Sequence, residues 1–291
     1  MKVYIKRTLR NFFSGFSGWA ILAGFLFFEG LNFVLINLMY GVTSMQETLL
    51  QMQPVLLLLL PALAARCFVG RSPAERRWLA SLPTTTTQRL LGEYLGSLFV
   101  LLLCSSPLLL FPLLLSVYAE GMALGAAYLT VLGHLLMNAA LLAVLFLLSR
   151  FFVRRILLAL TGTVLLLLLY VVDMLSAILS PAPLASFLIF LGIWGILGAL
   201  EGILCRRLPF LPIGGAAGTV LCYLLAPELF SYLVPHALAG ADVFGRSGGF
   251  SGGRLDLAGI LFYLVYIAAF AAIAILAEQT LRRTSEGREL V

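Results

Sequence analysis

The sequence predicts an all-α, polytopic membrane protein with about eight transmembrane helices, and three observations predict it. Of its 291 residues, 62% are hydrophobic and 11% charged, with a mean hydropathy of +1.06. So small a polar complement cannot cover a core exposed to water. The apolar residues gather into stretches at about 17–40, 49–69, 90–118, 123–149, 156–179, 184–204, 210–227 and 257–279. Each is near the ~20 residues that a helix needs to cross the hydrocarbon. The Leu runs lack the two-residue alternation of a membrane barrel, so helices satisfy the backbone. Finally, the cations fall in alternate gaps: Lys2, Lys6, Arg7 and Arg10; Arg66, Arg71, Arg76, Arg77 and Arg89; Arg150, Arg154 and Arg155; Arg206 and Arg207; Arg282, Arg283 and Arg288. Of 19 cations only Arg246 and Arg254 break the alternation. The positive-inside rule then places those gaps, and both termini, in the cytoplasm.

The chain reads as a single membrane domain over 1–291. Residues 1–16 open it: Ile5, Leu9, Phe12, Phe13 and Phe16 share one helical face, and Lys6, Arg7, Arg10 and Asn11 the other. That pattern describes a helix lying in the inner interface with cations toward anionic headgroups; a plain charged flank is the alternative. The first apolar stretch is too long for a leader and is read as a retained span. Glu29 sits midway along it, where an unpaired carboxylate is costly, so it faces protein or water. Glu29 and Asn32 either line a translocation path, with Glu29 as a proton-linked group, or hydrogen-bond to each other for packing.

The gap after the second stretch is the one inner loop long enough for structure of its own, a coupling segment over 70–89. Ser72 is an N-cap candidate, Pro73 suits the first helical position, Glu75 completes a capping box, and Pro83 stops the helix. Arg71, Arg76 and Arg77 beside Trp78 and Leu82 offer cations and an aromatic anchor to a partner. Alternatively the loop rests on headgroups and Trp78 only anchors it.

In the third stretch, Pro107 and Pro112 each remove a backbone donor, so the helix kinks or breaks in its outer half. Ser180-Pro181-Ala182-Pro183 marks a tight turn. Gly198 with Gly202 and Gly214 with Gly218 give two GxxxG spacings that suggest a packed helical pair over 184–227. Residues 228–256 form an extracellular segment with Phe230, Tyr232, Leu233, Val234, Phe244 and Phe250; so much apolar surface is expected to re-enter or lie on the outer leaflet.

The chemistry is sparse. Cys67, Cys104, Cys205 and Cys222 are far apart and read as buried thiols, and no metal site or cofactor is indicated. His134 reads as a buried, hydrogen-bonded residue, and His236 has no HExxH context. Glu120, Asp173, Glu201 and Glu278 lie near span ends and are expected to snorkel to water. The formal charge of +6 is spread over short segments without a continuous basic face, so nucleic acid is not expected and anionic membrane lipid is. No phosphate-cradling loop exists, and the only lysines are Lys2 and Lys6.

Pro61-Ala62-Leu63-Ala64-Ala65-Arg66-Cys67-Phe68, Ala74-Glu75-Arg76-Arg77, Leu82-Pro83 and Leu90-Leu91-Gly92-Glu93-Tyr94-Leu95 resemble the region between the second and third spans of ABC-2 type transporter permeases. The similarity is to the branch of gliding-motility and nitrous-oxide-reductase operons. Gly240, Asp242, Leu255-Asp256, Phe262-Tyr263 and Arg282-Arg283 resemble that branch's last extracellular stretch and final helix. The resemblance implies a six-helix export permease of the bacterial cytoplasmic membrane, with the pair at 184–227 inserted before the last helix. It implies a dimer with a second permease copy or paralogue, driven by two copies of a separate ATPase bound to the coupling helix. The permease itself would then be no enzyme. A secondary transporter would want several mid-membrane ionisable groups on broken helices, and a lipid-modifying membrane enzyme would want clustered Asp, Glu, His or Ser at the interface.

Overall fold

The computed structural model describes residues 2–69, 85–118, 123–178, 187, 191–192, 194–195, 210–225, 242–250 and 255–289. Its regular elements are helical throughout those residues. They are α1 (Lys2–Phe13), α2 (Phe16–Asn32, running on as a π-helical turn over Phe33–Met39), α3 (Met45–Phe68), α4 (Thr86–Cys104), α5 (Phe111–Tyr118), α6 (Leu124–Leu148), α7 (Arg155–Ile178), α8 (Phe210–Leu225) and α9 (Leu257–Glu289). Short 3-10 segments occupy Ser106–Leu109 and Gly245–Phe250. The chain divides into two compact units, one of Met1–Leu168 with Val243–Val291 and one of Leu169–Asp242.

Among the described residues four helices are long and apolar enough to cross a membrane: Phe16–Met39, Met45–Phe68, Leu124–Leu148 and Leu257–Thr280. Arg155–Val171 and Ile213–Leu224 are shorter apolar helices. In the first unit α3 and α6 form the centre, with 61% and 67% of their apolar windows buried against 17% in α2 and α9. The outer helices therefore turn most of their apolar surface away from the protein, as helices solvated by lipid do.

Local chemistry sets the ends. Ser44 caps α3 by accepting the Gln46 amide, and Glu47 complements the helix dipole in the first turn. Thr85 caps α4 by accepting from the Gln88 amide. Between α2 and α3 the Asn37 amide donates to the Val42 carbonyl at 2.7 Å, and the Thr48 hydroxyl donates to Asn37 Oδ1. Gly41, at φ +68°, makes the turn.

The third apolar stretch breaks as its prolines predict. Pro107 removes the amide that would bond the Leu103 carbonyl, and Pro112 the one that would bond Leu108, so α4 stops at Cys104 and α5 begins only at Phe111. Phe111 then stacks on Phe33 with ring centroids 4.3 Å apart, within an apolar cluster that includes Met45, Leu108 and Val131.

The N-terminal helix forms, and of the five residues read as its apolar face Phe12 is buried in the protein. Tyr4, Thr8 and Phe12 are its buried stripe, Ile5, Leu9 and Phe13 are half-buried, and Phe16 is exposed. The cause is a pair of glycines on α4: a Cβ at Gly92 would stand 2.8 Å from the Tyr4 Cβ, and one at Gly96 2.8 Å from the Thr8 Cβ and 3.2 Å from the Ile5 Cα. Only glycine lets α1 lie this close to α4.

In the second unit the GxxxG spacing at Gly214 and Gly218 is not where contact occurs, because nothing lies within 4 Å of a Cβ at either. Trp194 packs on Gly215 instead and donates through Nε1 to Thr219 Oγ1 at 3.0 Å, while Phe187 stacks on Tyr223 at 4.4 Å. Residues 215, 219 and 223 form one ridge at i, i+4, i+8 spacing. Gly198 and Gly202 lie outside the described residues. In the 228–256 segment, Phe244 and Phe250 are buried in the protein, whereas Phe230, Tyr232, Leu233 and Val234 fall outside the described residues.

Candidate functional site

The helix that follows residues 70–84 begins at Thr86, and its first two turns carry Arg89 and Glu93 one turn apart on one face. Arg89 Nη2 lies 2.8 Å from Glu278 Oε1 on α9. Arg150, just past the end of α6, places Nη1 3.8 Å from Glu93 Oε2 and 3.7 Å from Glu278 Oε2. Its guanidinium also lies 4.7 Å from the centroid of the Phe146 ring and donates to Ser149 Oγ. The side chains of Glu93 and Arg150 are each only 4% exposed, so the cluster is a desolvated, charge-balanced junction of α4, α6 and α9. Glu278, with its side chain 22% exposed, is ion-paired at the end of its span. Arg89 and Arg150 hold it, because a formed ion pair at a helix junction satisfies three elements at once.

Nearby, Arg155 donates from Nε to the Val69 carbonyl at 2.9 Å, and Arg66 Nη2 reaches Ser14 Oγ at 3.4 Å. These contacts hold the last turn of α3 against the start of α7 and the link between α1 and α2. Aromatic packing continues from the junction, with Phe146 5.0 Å from Phe68 and 5.5 Å from Tyr94 by ring centroids, and the Tyr94 hydroxyl donates to the Ala139 carbonyl at 2.9 Å.

Along α6, about 18 to 30 Å from Arg150 by helical rise, Asn138, His134 and Thr130 follow at four-residue spacing, each at least nine-tenths buried. Thr130 and His134 line a cleft with Gln46 and Gln53 of α3 and Ser247 and Gly248 of the 3-10 segment. Phe250 closes onto α6 where a Cβ at Gly133 would lie 2.5 Å from its ring. His134 is buried as expected but not satisfied: Nε2 finds no partner, nor does either amide atom of Asn138.

Glu29 is 2% exposed within the first span, and its Oε2 has no hydrogen-bond partner. It faces the break after α4, where the buried Ser105 hydroxyl lies across from it without completing a hydrogen bond. Asn32 is turned elsewhere, donating to the Phe28 carbonyl and Met52 Sδ, so of the alternatives for Glu29 a packing bond to Asn32 is not formed. Lys6 and Arg10 are exposed on α1 and Arg7 is half-buried. Arg71, Ser72, Glu75, Arg76, Arg77, Trp78, Leu82 and Pro83 lie outside the described residues, as do His236, Glu120, Glu201 and Cys205. Of the cysteines, Cys104 is buried and Cys67 half-buried, but Cys222 is exposed on α8, which corrects the reading of all four as buried thiols. A single apolar stretch does not reveal which side of its helix meets a neighbour.

Among the described residues no group of three or more His, Cys, Asp or Glu could hold a metal ion. Sequence reasoning took Arg89 and Arg150 only as topological markers; the Arg89-Glu93 pair at i, i+4, beside a span end, was the available signal for the junction. No family model matches the chain, and neither the curated proteins nor the solved structures contain a significant match.

Proposed function

We propose that this membrane protein is the permease subunit of an ABC-2 type ATP-driven exporter, forming the translocation path and coupling to a separate ATPase subunit. The observation that carries the reading is the buried Arg89-Glu93-Arg150-Glu278 junction. Arg89 and Glu93 stand in the first two turns of the helix that directly follows residues 70–84, so a push on that segment is delivered to α6 and α9 together. A transporter driven from outside its own chain needs such a mount between its docking segment and its spans.

In this reading the chain makes eight spans with both termini cytoplasmic in a bacterial cytoplasmic membrane, and the segment from Pro73 to Leu82 is a coupling helix. It pairs with a second permease copy or paralogue and with two ATPase copies, and anionic lipid binds its cationic inner segments. A secondary transporter is the second reading, favoured by Glu29 facing a broken helix.

Purification from the native membrane in mild detergent tests the choice. Co-recovery of a nucleotide-binding subunit, lost in Arg76→Glu/Arg77→Glu and reduced about tenfold or more in Trp78→Ala at normal permease abundance, is the expected result. Recovery of the permease alone, or undiminished ATPase recovery in both variants, overturns it.

A further inference from the structure

We propose that the cleft between the N-terminal halves of α3 and α6 and the segment Gly245–Phe250 is a binding site for one small, uncharged hydrogen-bonding group, a hydroxyl or carboxamide of a ligand. The site stands apart from the ionic junction and does not depend on what drives the protein.

The chemistry of the lining selects that group. Gln46, Gln53, Thr130, His134 and Ser247 bring polar side chains, and among the described residues no Asp, Glu, Lys or Arg lines the cleft. An ion entering it would lose its hydration with no opposite charge to replace it, whereas a neutral group exchanges hydrogen bonds with water for hydrogen bonds with protein.

Two of these five side chains are engaged within the protein. Thr130 Oγ1 donates to the Ala126 carbonyl at 2.9 Å, and Ser247 Oγ donates to the Phe244 carbonyl at 2.7 Å. His134 is not: it is 2% exposed, lines the cleft, and keeps Nε2 without a partner. Nε2 can donate or accept according to tautomer, and Gln53, 5% exposed, offers both functions. One turn deeper, neither amide atom of Asn138 is bonded. Buried polar atoms in folded proteins nearly always have partners, so a row of open ones ending in a cleft marks where a partner arrives. The free space at the centre is about 10 Å³, room for one water-sized group. The site therefore grips a single functional group of a ligand whose remainder lies outside.

The test uses the full chain in detergent, with Gln53→Cys, His134→Cys and Ser247→Cys made singly and Leu255→Cys as the exposed reference. Each is treated with neutral hydroxyethyl, anionic sulfonatoethyl and cationic trimethylammonioethyl methanethiosulfonate. Peptide mass spectrometry reads each position, so the native thiols do not interfere. After normalisation to Leu255→Cys, the neutral reagent is expected to react at least tenfold faster than either charged one at Gln53→Cys and His134→Cys. Acetamide or glycerol should slow that reaction at Gln53→Cys at least threefold without affecting Leu255→Cys. Equal normalised rates for the three reagents overturn the proposal, as does no reaction at any cleft position in protein that elutes as wild type. Neutral preference without protection by either probe also overturns it, and leaves a niche that holds water only.

Discussion

Replacing Glu278 with Gln tests the ionic junction most directly. The substitution keeps the side chain's size and removes the charge that Arg89 meets at 2.8 Å and Arg150 at 3.7 Å. Arg89, with a side chain 11% exposed, then loses its partner at 2.8 Å, and Arg150, 4% exposed, keeps Glu93 at 3.8 Å and the Ser149 hydroxyl. Breaking a fully buried pair costs about 3–5 kcal/mol. Glu278 is 22% exposed, so water compensates in part and about 2–3 kcal/mol is expected. At about 2–4 °C per kcal/mol for a chain of this size, the unfolding midpoint in a fixed detergent should fall by roughly 5–10 °C. Arg89→Met alone should be destabilising too, whereas Arg89→Met/Glu278→Gln, which removes both charges, should recover at least half of the summed loss. A Glu278→Gln midpoint within about 1 °C of wild type, or a double variant equal to the sum of the singles, would refute the junction as a coupled unit.

Gly96→Leu places a Cβ where the Ile5 backbone stands at 3.2 Å, which cannot yield as a side-chain tip can. It should lift α1 from α4 and raise thiol labelling of Thr8→Cys about tenfold at normal membrane abundance; unchanged protection would count against glycine-dependent docking. Membrane-impermeant labelling in intact cells should reach Ser247→Cys and spare Ser285→Cys, with the reverse in inverted vesicles. Labelling of both from one side refutes the charge-derived topology.

What the sequence determined by itself was whatever depends on neighbours along the chain. Composition and stretch length gave a helical membrane protein, because lipid offers no hydrogen bonds and each span must satisfy its own backbone. Pro107 and Pro112 located the break after Cys104, because a missing amide acts within one turn. Tertiary structure decided what depends on residues distant in the chain. Glu278 looked like a span-end carboxylate until Arg89, 189 positions away, was brought to 2.8 Å. Phe12, read with the apolar face of α1, is buried beside Tyr4 and Thr8, where Gly92 and Gly96 open a notch on another helix. Gly215 rather than the GxxxG pair received Trp194, since spacing shows which residues share a helix face but not which face meets a neighbour. His134 and Asn138 had polar side chains legible in the sequence, but whether a buried polar atom finds a partner is a fact of three-dimensional packing.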